Sequence, residues 1–134
     1  ELAVEQYSNE SWNKLNVRLI FTVNSQPDVP IVWHWGWCAT TDEILQQNLT
    51  QINVIFEADG YVIPKDQLAS ETYESTDTTY QGWKCQDYLT ILRDWKPGTY
   101  TLKQTINFST AINDGKVAFE AGSMFREYTV NISP

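Results

Sequence analysis

An all-β, antiparallel sandwich of about seven to nine short strands with one short helix is the fold this sequence predicts. Three observations carry it. Several segments alternate apolar and polar residues with period two. Most are bounded by proline, glycine or Asx turn signals. Only one stretch carries the start signal of a helix.

The elements follow in order. Residues 1–14 are expected to form a loose N-terminal arm or a first edge strand. From Asn16 to Asn24, Val17, Leu19, Phe21 and Val23 point one way and Asn16, Arg18, Thr22 and Asn24 the other, with Ile20 the exception. Pro27 and Pro30 then break the ladder, because proline has no N–H to give it. In the strand Ile31–Trp37, three tryptophans stand at alternate positions, so Trp33, Trp35 and Trp37 share one face and His34 lies on the other. Thr40 with Glu43 has capping-box spacing, and Ile44, Leu45, Leu49 and Ile52 can share one flank, predicting a helix over 42–50. Ile52, Val54 and Phe56 return to period two. Asp59-Gly60 marks a hairpin into Tyr61-Val62-Ile63.

Residues 65–80 are polar and read as a long surface excursion with room for a short edge strand. Strand character resumes over Cys85 to Trp95, through Tyr88–Leu92. Lys96-Pro97-Gly98-Thr99 has the composition of a type II turn. Tyr100, Leu102, Ile106 and Phe108 then line one face. Asn113–Lys116 is a tight turn, and the chain closes on Met124, Tyr128, Val130 and Ile132 against Glu127, Thr129 and Asn131.

Length supports one domain over 1–134. The formal charge of −8 leaves no basic stripe for nucleic acid and disfavours anionic lipid. No apolar run is long enough to cross a bilayer as a helix. The chain opens on Glu1-Leu2-Ala3-Val4 without a basic leader, as an excised or mature chain would, and export is not decided by it. Cys38 and Cys85 are the only cysteines, with one histidine and no Cys-x-x-Cys, so a four-ligand zinc has no support. The pair reads as a structural disulfide, with two buried thiols the alternative; a disulfide would place the protein outside a reducing cytosol. Asn-x-Ser/Thr triplets at Asn9, Asn48, Asn107 and Asn131 matter only in a eukaryotic secretory host.

The stretch Asp94-Trp95-Lys96-Pro97-Gly98-Thr99-Tyr100-Thr101-Leu102 resembles the approach to the sixth strand of immunoglobulin-like domains, where a tyrosine hydrogen-bonds back to the preceding corner. Tyr100 stands in that place. Trp35 follows Phe21, and Trp33 follows Leu19, at an interval similar to that between the second-strand core position and the third-strand tryptophan of the family. The resemblance spans residues 15 to 132 and implies the bacterial surface or secreted type. Leu102, and Leu19 or Phe21, occupy the antibody cysteine positions, so the antibody inter-sheet bridge is not expected. A Cys38–Cys85 bridge would instead join the end of the tryptophan strand to the start of the Tyr88 strand.

Trp33, Trp35 and Trp37 have two readings, core or a row for stacking on sugar rings, and core packing takes precedence. Trp12, Trp83 and Trp95 fall outside strands or at their ends and are expected to be the more exposed. Trp83, Tyr80 and Tyr73 are the candidate ligand-binding aromatics, against the alternative that they cover a sheet edge. His34, alone, reads as a surface residue. The acidic runs at Glu57–Asp59 and across Glu71, Glu74 and Asp77 match no calcium loop and read as solvated surface. No nucleophile elbow, phosphate loop or zincin motif occurs. No catalytic residue, metal or cofactor is expected. The function expected is a non-catalytic extracellular module with a structural or protein-interaction role; the alternative is a carbohydrate-binding module using exposed Trp and Tyr. Its partner would be another protein or a cell-surface polysaccharide, and weak pairing of the sandwich with itself stays open.

Overall fold

The structure, a computed structural model, describes residues 15–134; the arm or edge strand expected over 1–14, Asn9 and Trp12 lie outside the described residues. The described chain runs β1 (Arg18–Ser25), β2 (Ile31–Ala39), α1 (Asp42–Gln51), β3 (Ile52–Ala58), β4 (Tyr61–Val62), a 3-10 turn (Lys65–Gln67) and β5 (Ala69–Glu74). It continues with β6 (Lys84–Leu92), β7 (Gly98–Phe108), β8 (Ile112–Asn113), β9 (Ala118–Phe119) and β10 (Gly122–Ile132). A five-stranded sheet in the order β1-β10-β7-β3-β4 faces a three-stranded sheet in the order β2-β6-β5, with β8-β9 a separate ribbon. This is the all-β, sandwich-like fold predicted.

Alternation decides which residues meet. In β1, Leu19 and Phe21 are buried while Ile20 is exposed, the phase read from the sequence. Leu102, Ile106 and Phe108 of β7, Met124, Val130 and Ile132 of β10 and Phe56 of β3 form one core cluster with Trp33 and Trp35 of β2. The edge of Trp33 meets the ring of Phe56 across the two sheets, centroids 4.9 Å apart. Trp33 and Trp35 are 5% and 4% exposed. Removing 150–250 Å² per indole from water stabilises the fold by about 4–6 kcal/mol each before entropy. Gln104 crosses the interior, its Nε2 donating to the His34 carbonyl at 2.9 Å.

Trp37 is half-buried at the end of the row. Its indole meets Phe108 and Phe119 edge-on, and its Nε1 donates to Asn48 Oδ1 at 2.9 Å. Asn48 Nδ2 donates in turn to the Asn113 carbonyl. Asn48 is buried with both ends of its amide engaged, so this glycosylation triplet is sealed in the folded chain. The helix that carries it closes one end of the sandwich, burying Leu45.

Cys38 and Cys85 are bonded. They are direct cross-strand partners in β2 and β6, with Cα atoms 4.1 Å apart, so the bridge staples one sheet rather than joining the two. The Tyr100 hydroxyl donates to the Lys96 carbonyl at 2.8 Å, the corner bond expected of it. Asp59 and Gly60, at φ 46° and 82°, make the β3–β4 hairpin with both central residues left-handed.

Several expectations are corrected. The sandwich is not wholly antiparallel: β1 runs parallel to β10, from Arg18↔Phe125 to Ser25↔Ile132. A parallel pair needs a crossover, and here nearly the whole described chain supplies it. The helix cap is Thr41, whose Oγ1 accepts from Ile44 N at 3.2 Å, rather than Thr40, whose own N–H donates to the Asp114 carbonyl. Gly98 sits at φ 146°, outside a type II turn, because the Lys96 carbonyl is taken by the Tyr100 hydroxyl and the chain merely bends at Pro97. The 65–80 excursion does hold a short edge strand, β5, as expected, preceded by the 3-10 turn. Trp83, expected to be partly exposed, is buried, whereas Trp95 is partly exposed as expected, with its ring edge-on to Tyr100.

Candidate functional site

The short connection from β5 to β6 explains Trp83. Ser75 N–H donates to the Trp83 carbonyl at 2.8 Å and Gly82 N–H to the Ser75 carbonyl at 3.0 Å, folding the loop back on itself. Asp77 Oδ1 accepts from Thr79 N–H and stiffens the loop tip. Tyr80 then meets the Trp83 ring edge-on at 5.1 Å, and the Lys116 ammonium lies 5.6 Å from its centroid. Lys116 is brought there by the β8–β9 turn, where Asp114 Oδ1 accepts from Lys116 N–H and Val117 N–H. Trp83 is therefore 8% exposed. Tyr80 and Tyr73 are exposed, but Tyr73 lies on β5, opposite Cys85, with its hydroxyl directed to Asp87. The three candidate aromatics do not form one open platform.

Tyr73 belongs instead to the outer face of the three-stranded sheet. Residues directly opposite share a face, so cross-strand register assembles this surface row by row. Val32 stands beside Ile91; His34 beside Leu89 and Ala69; Gly36 beside Asp87 and Glu71; Cys38 beside Cys85 and Tyr73. Val32 and Ile91 are 58% and 44% exposed. The Asp87 carboxylate lies over Gly36, and a Cβ at position 36 would overlap its oxygen. Burial raises the Asp87 carboxyl above its ordinary value; His34 and the Tyr73 hydroxyl, 3.4 Å away, pull it back, and Glu71 pushes it further up. The Tyr73 phenol is raised, first by burial and then by Asp87. His34 is exposed, as read from the sequence. Among the described residues no group of three or more His, Cys, Asp or Glu could hold a metal ion.

β5 is exposed at all six positions, on both faces. Among the described residues it pairs only with β6. Since Ser75 N–H points to β6, the two-residue period turns the N–H and C=O of Glu71 and Tyr73 the same way. Those of Ser70, Thr72 and Glu74 face the free edge.

A cleft of about 190 Å³ opens at the same side, between β3 of the large sheet and β5 and β6 of the small one. Buried Trp35 and Phe56 form its depth, with half-buried Leu49, Ile52, Val54 and Leu68 around them. Lys65, Ser70 and Tyr88 supply its polar groups. The Tyr88 hydroxyl accepts from Gln86 Nε2 at 3.0 Å.

Two features escaped the sequence reading. Asp87 and Glu71 become neighbours only through the β5–β6 register. Arg126 lies in register with Leu19 and Gln104, on the inward side of β10, where burial lowers its pKa. A charged residue in an inward phase was the one available signal for it. Comparison with protein-family models, curated proteins and solved structures finds no match to this chain.

Proposed function

We propose that this chain is a non-catalytic, extracellular immunoglobulin-like module that docks another protein by accepting an extended segment along the free edge of β5. The observation that carries this reading is β5 itself: six exposed residues whose outward N–H and C=O groups meet no other strand among the described residues. Strand addition of this kind draws affinity from main-chain hydrogen bonds and specificity from alternate side chains. Exposed Val32 and Ile91 and the Tyr73–Asp87 pair on the adjoining face supply further contact area. Glu71 and Glu74 favour a partner strand that carries Lys or Arg. The disulfide supports an oxidising compartment. The Tyr100 corner and the Trp35 core support the immunoglobulin-like type.

The test is a panel of short peptides alternating Val or Ile with Lys, followed by amide chemical shifts. Saturable binding centred on Ser70, Thr72 and Glu74 is expected, and Thr72→Pro should abolish it. That substitution removes an outward donor at an edge position where proline is tolerated, leaving the β5–β6 ladder intact. Binding indifferent to Thr72→Pro, or no saturable binding at all, overturns the reading. Saturable binding of polysaccharide at Tyr80 and Tyr73 would favour the sugar-binding alternative instead.

A further inference from the structure

We propose that the cleft between β3 and β5 binds a single-ring aromatic acid, at a site that shares Ser70 with the strand edge but does not rest on that reading. Its depth is aromatic and apolar. The Trp35 and Tyr88 rings stand 6.3 Å apart and within 13° of parallel, with Phe56 and Val54 facing them from the large sheet. Flat rings pack against such walls by offset or edge contacts, and the gain adds to the area buried.

Size narrows the class. The cleft's 190 Å³ is not far above the roughly 150 Å³ of an engineered apolar cavity that admits benzene. One six-membered ring with a short substituent fits this volume. A pyranose fits by volume, but its hydroxyls point outward all round the ring, and the depth of this cleft would leave most of them unpaired.

Charge at the mouth supplies the second half of the ligand. Lys65 and Ser70 are exposed there, and no lining residue is acidic, although the chain as a whole carries −8. The Tyr88 hydroxyl, accepting from Gln86, keeps its own proton to donate. An ammonium and two hydroxyls beside an apolar slot suit a carboxylate held one or two atoms from a ring.

Amide shifts of Val54, Leu68 and Ser70 are to be followed as phenylacetate, benzyl alcohol and hexanoate are added to the whole chain. Saturable phenylacetate binding with a Kd of about 0.1–1 mM is expected. Lys65→Met, which keeps the apolar stem and deletes the charge, should weaken phenylacetate about five- to ten-fold and leave benzyl alcohol unchanged. Ser70→Trp, made at an exposed position, should plug the mouth and abolish binding of both, whereas Thr72→Pro should have no effect. No saturable shift by about 20 mM overturns the proposal, since a ring packed on Trp35 and Phe56 with its carboxylate paired binds tighter than that. Binding that survives Ser70→Trp overturns the location, and hexanoate binding as tightly as phenylacetate overturns the aromatic class.

Discussion

Asp87 shows how much a single position can be governed by its cross-strand neighbours. Gly36 has no side chain, so the carboxylate settles onto the sheet and loses water, while Glu71 stands directly opposite with the same charge. Both effects favour the protonated form, and the folded-state pKa rises above the ordinary 3.8. The sign follows from that direction: Asp87 contributes its stability below about pH 4, and the contribution is lost as pH rises through the elevated value. Asp87→Asn should therefore raise Tm at pH 7, leave it nearly unchanged at pH 3, and keep the bond from the Tyr73 hydroxyl. A thermal-melt series across pH checks this; equal Tm at pH 7 would mean that desolvation there is negligible. At Tyr100 the expected loss is smaller than a buried corner would give, because its bond to the Lys96 carbonyl is exposed. Tyr100→Phe should cost about 0.5–1.5 kcal/mol in a urea melt. No change would mean that the ring's contact with Trp95 holds the corner unaided.

At the scale of elements, alternation was enough wherever one face of a strand meets the core. The phases of β1, β2, β7 and most of β10 are legible because each carries large apolar residues at every second position. The parallel seating of β1 on β10 is not legible, since it pairs the two ends of the described chain and leaves no local mark. Trp83 is another such case: the loop folds back on it, and a distant turn brings Lys116 over its ring. The candidate site was legible only in part. Tyr73 and the edge strand were anticipated, but Glu71–Asp87, the cleft and the inward Arg126 arise from register between strands. The β2–β6 staple was legible in position. It spans 47 residues, and on loop-closure grounds removing it should cost about 4 kcal/mol. Denaturant midpoints with and without reductant test this. A loss below about 1 kcal/mol would show that the reduced, unfolded chain already keeps these strands together.

Among the described residues the molecule is built from unequal layers, five strands against three, and the small sheet keeps open edges. A bare edge is a template for any strand, including that of a second copy. Charge argues against self-pairing along β5. Two copies joined antiparallel would bring four glutamates to one seam, Glu71 of each on its outer face and Glu74 of each, paired with Lys84 at 3.3 Å, on the other. The net charge of −8 adds repulsion at longer range. The same glutamates would welcome a basic strand, so one pair of residues both rejects the wrong partner and selects the right one. Removing them should uncouple the two effects. Glu71→Thr with Glu74→Thr keeps β propensity, and the double variant should self-associate in sedimentation runs where the parent chain remains a monomer. Basic, strand-forming peptides should bind it more weakly than they bind the parent, with a shallower dependence on salt. A variant that stayed monomeric and kept full peptide affinity would show that these charges guard nothing, and the free edge of β5 would lose its claim to be the docking surface.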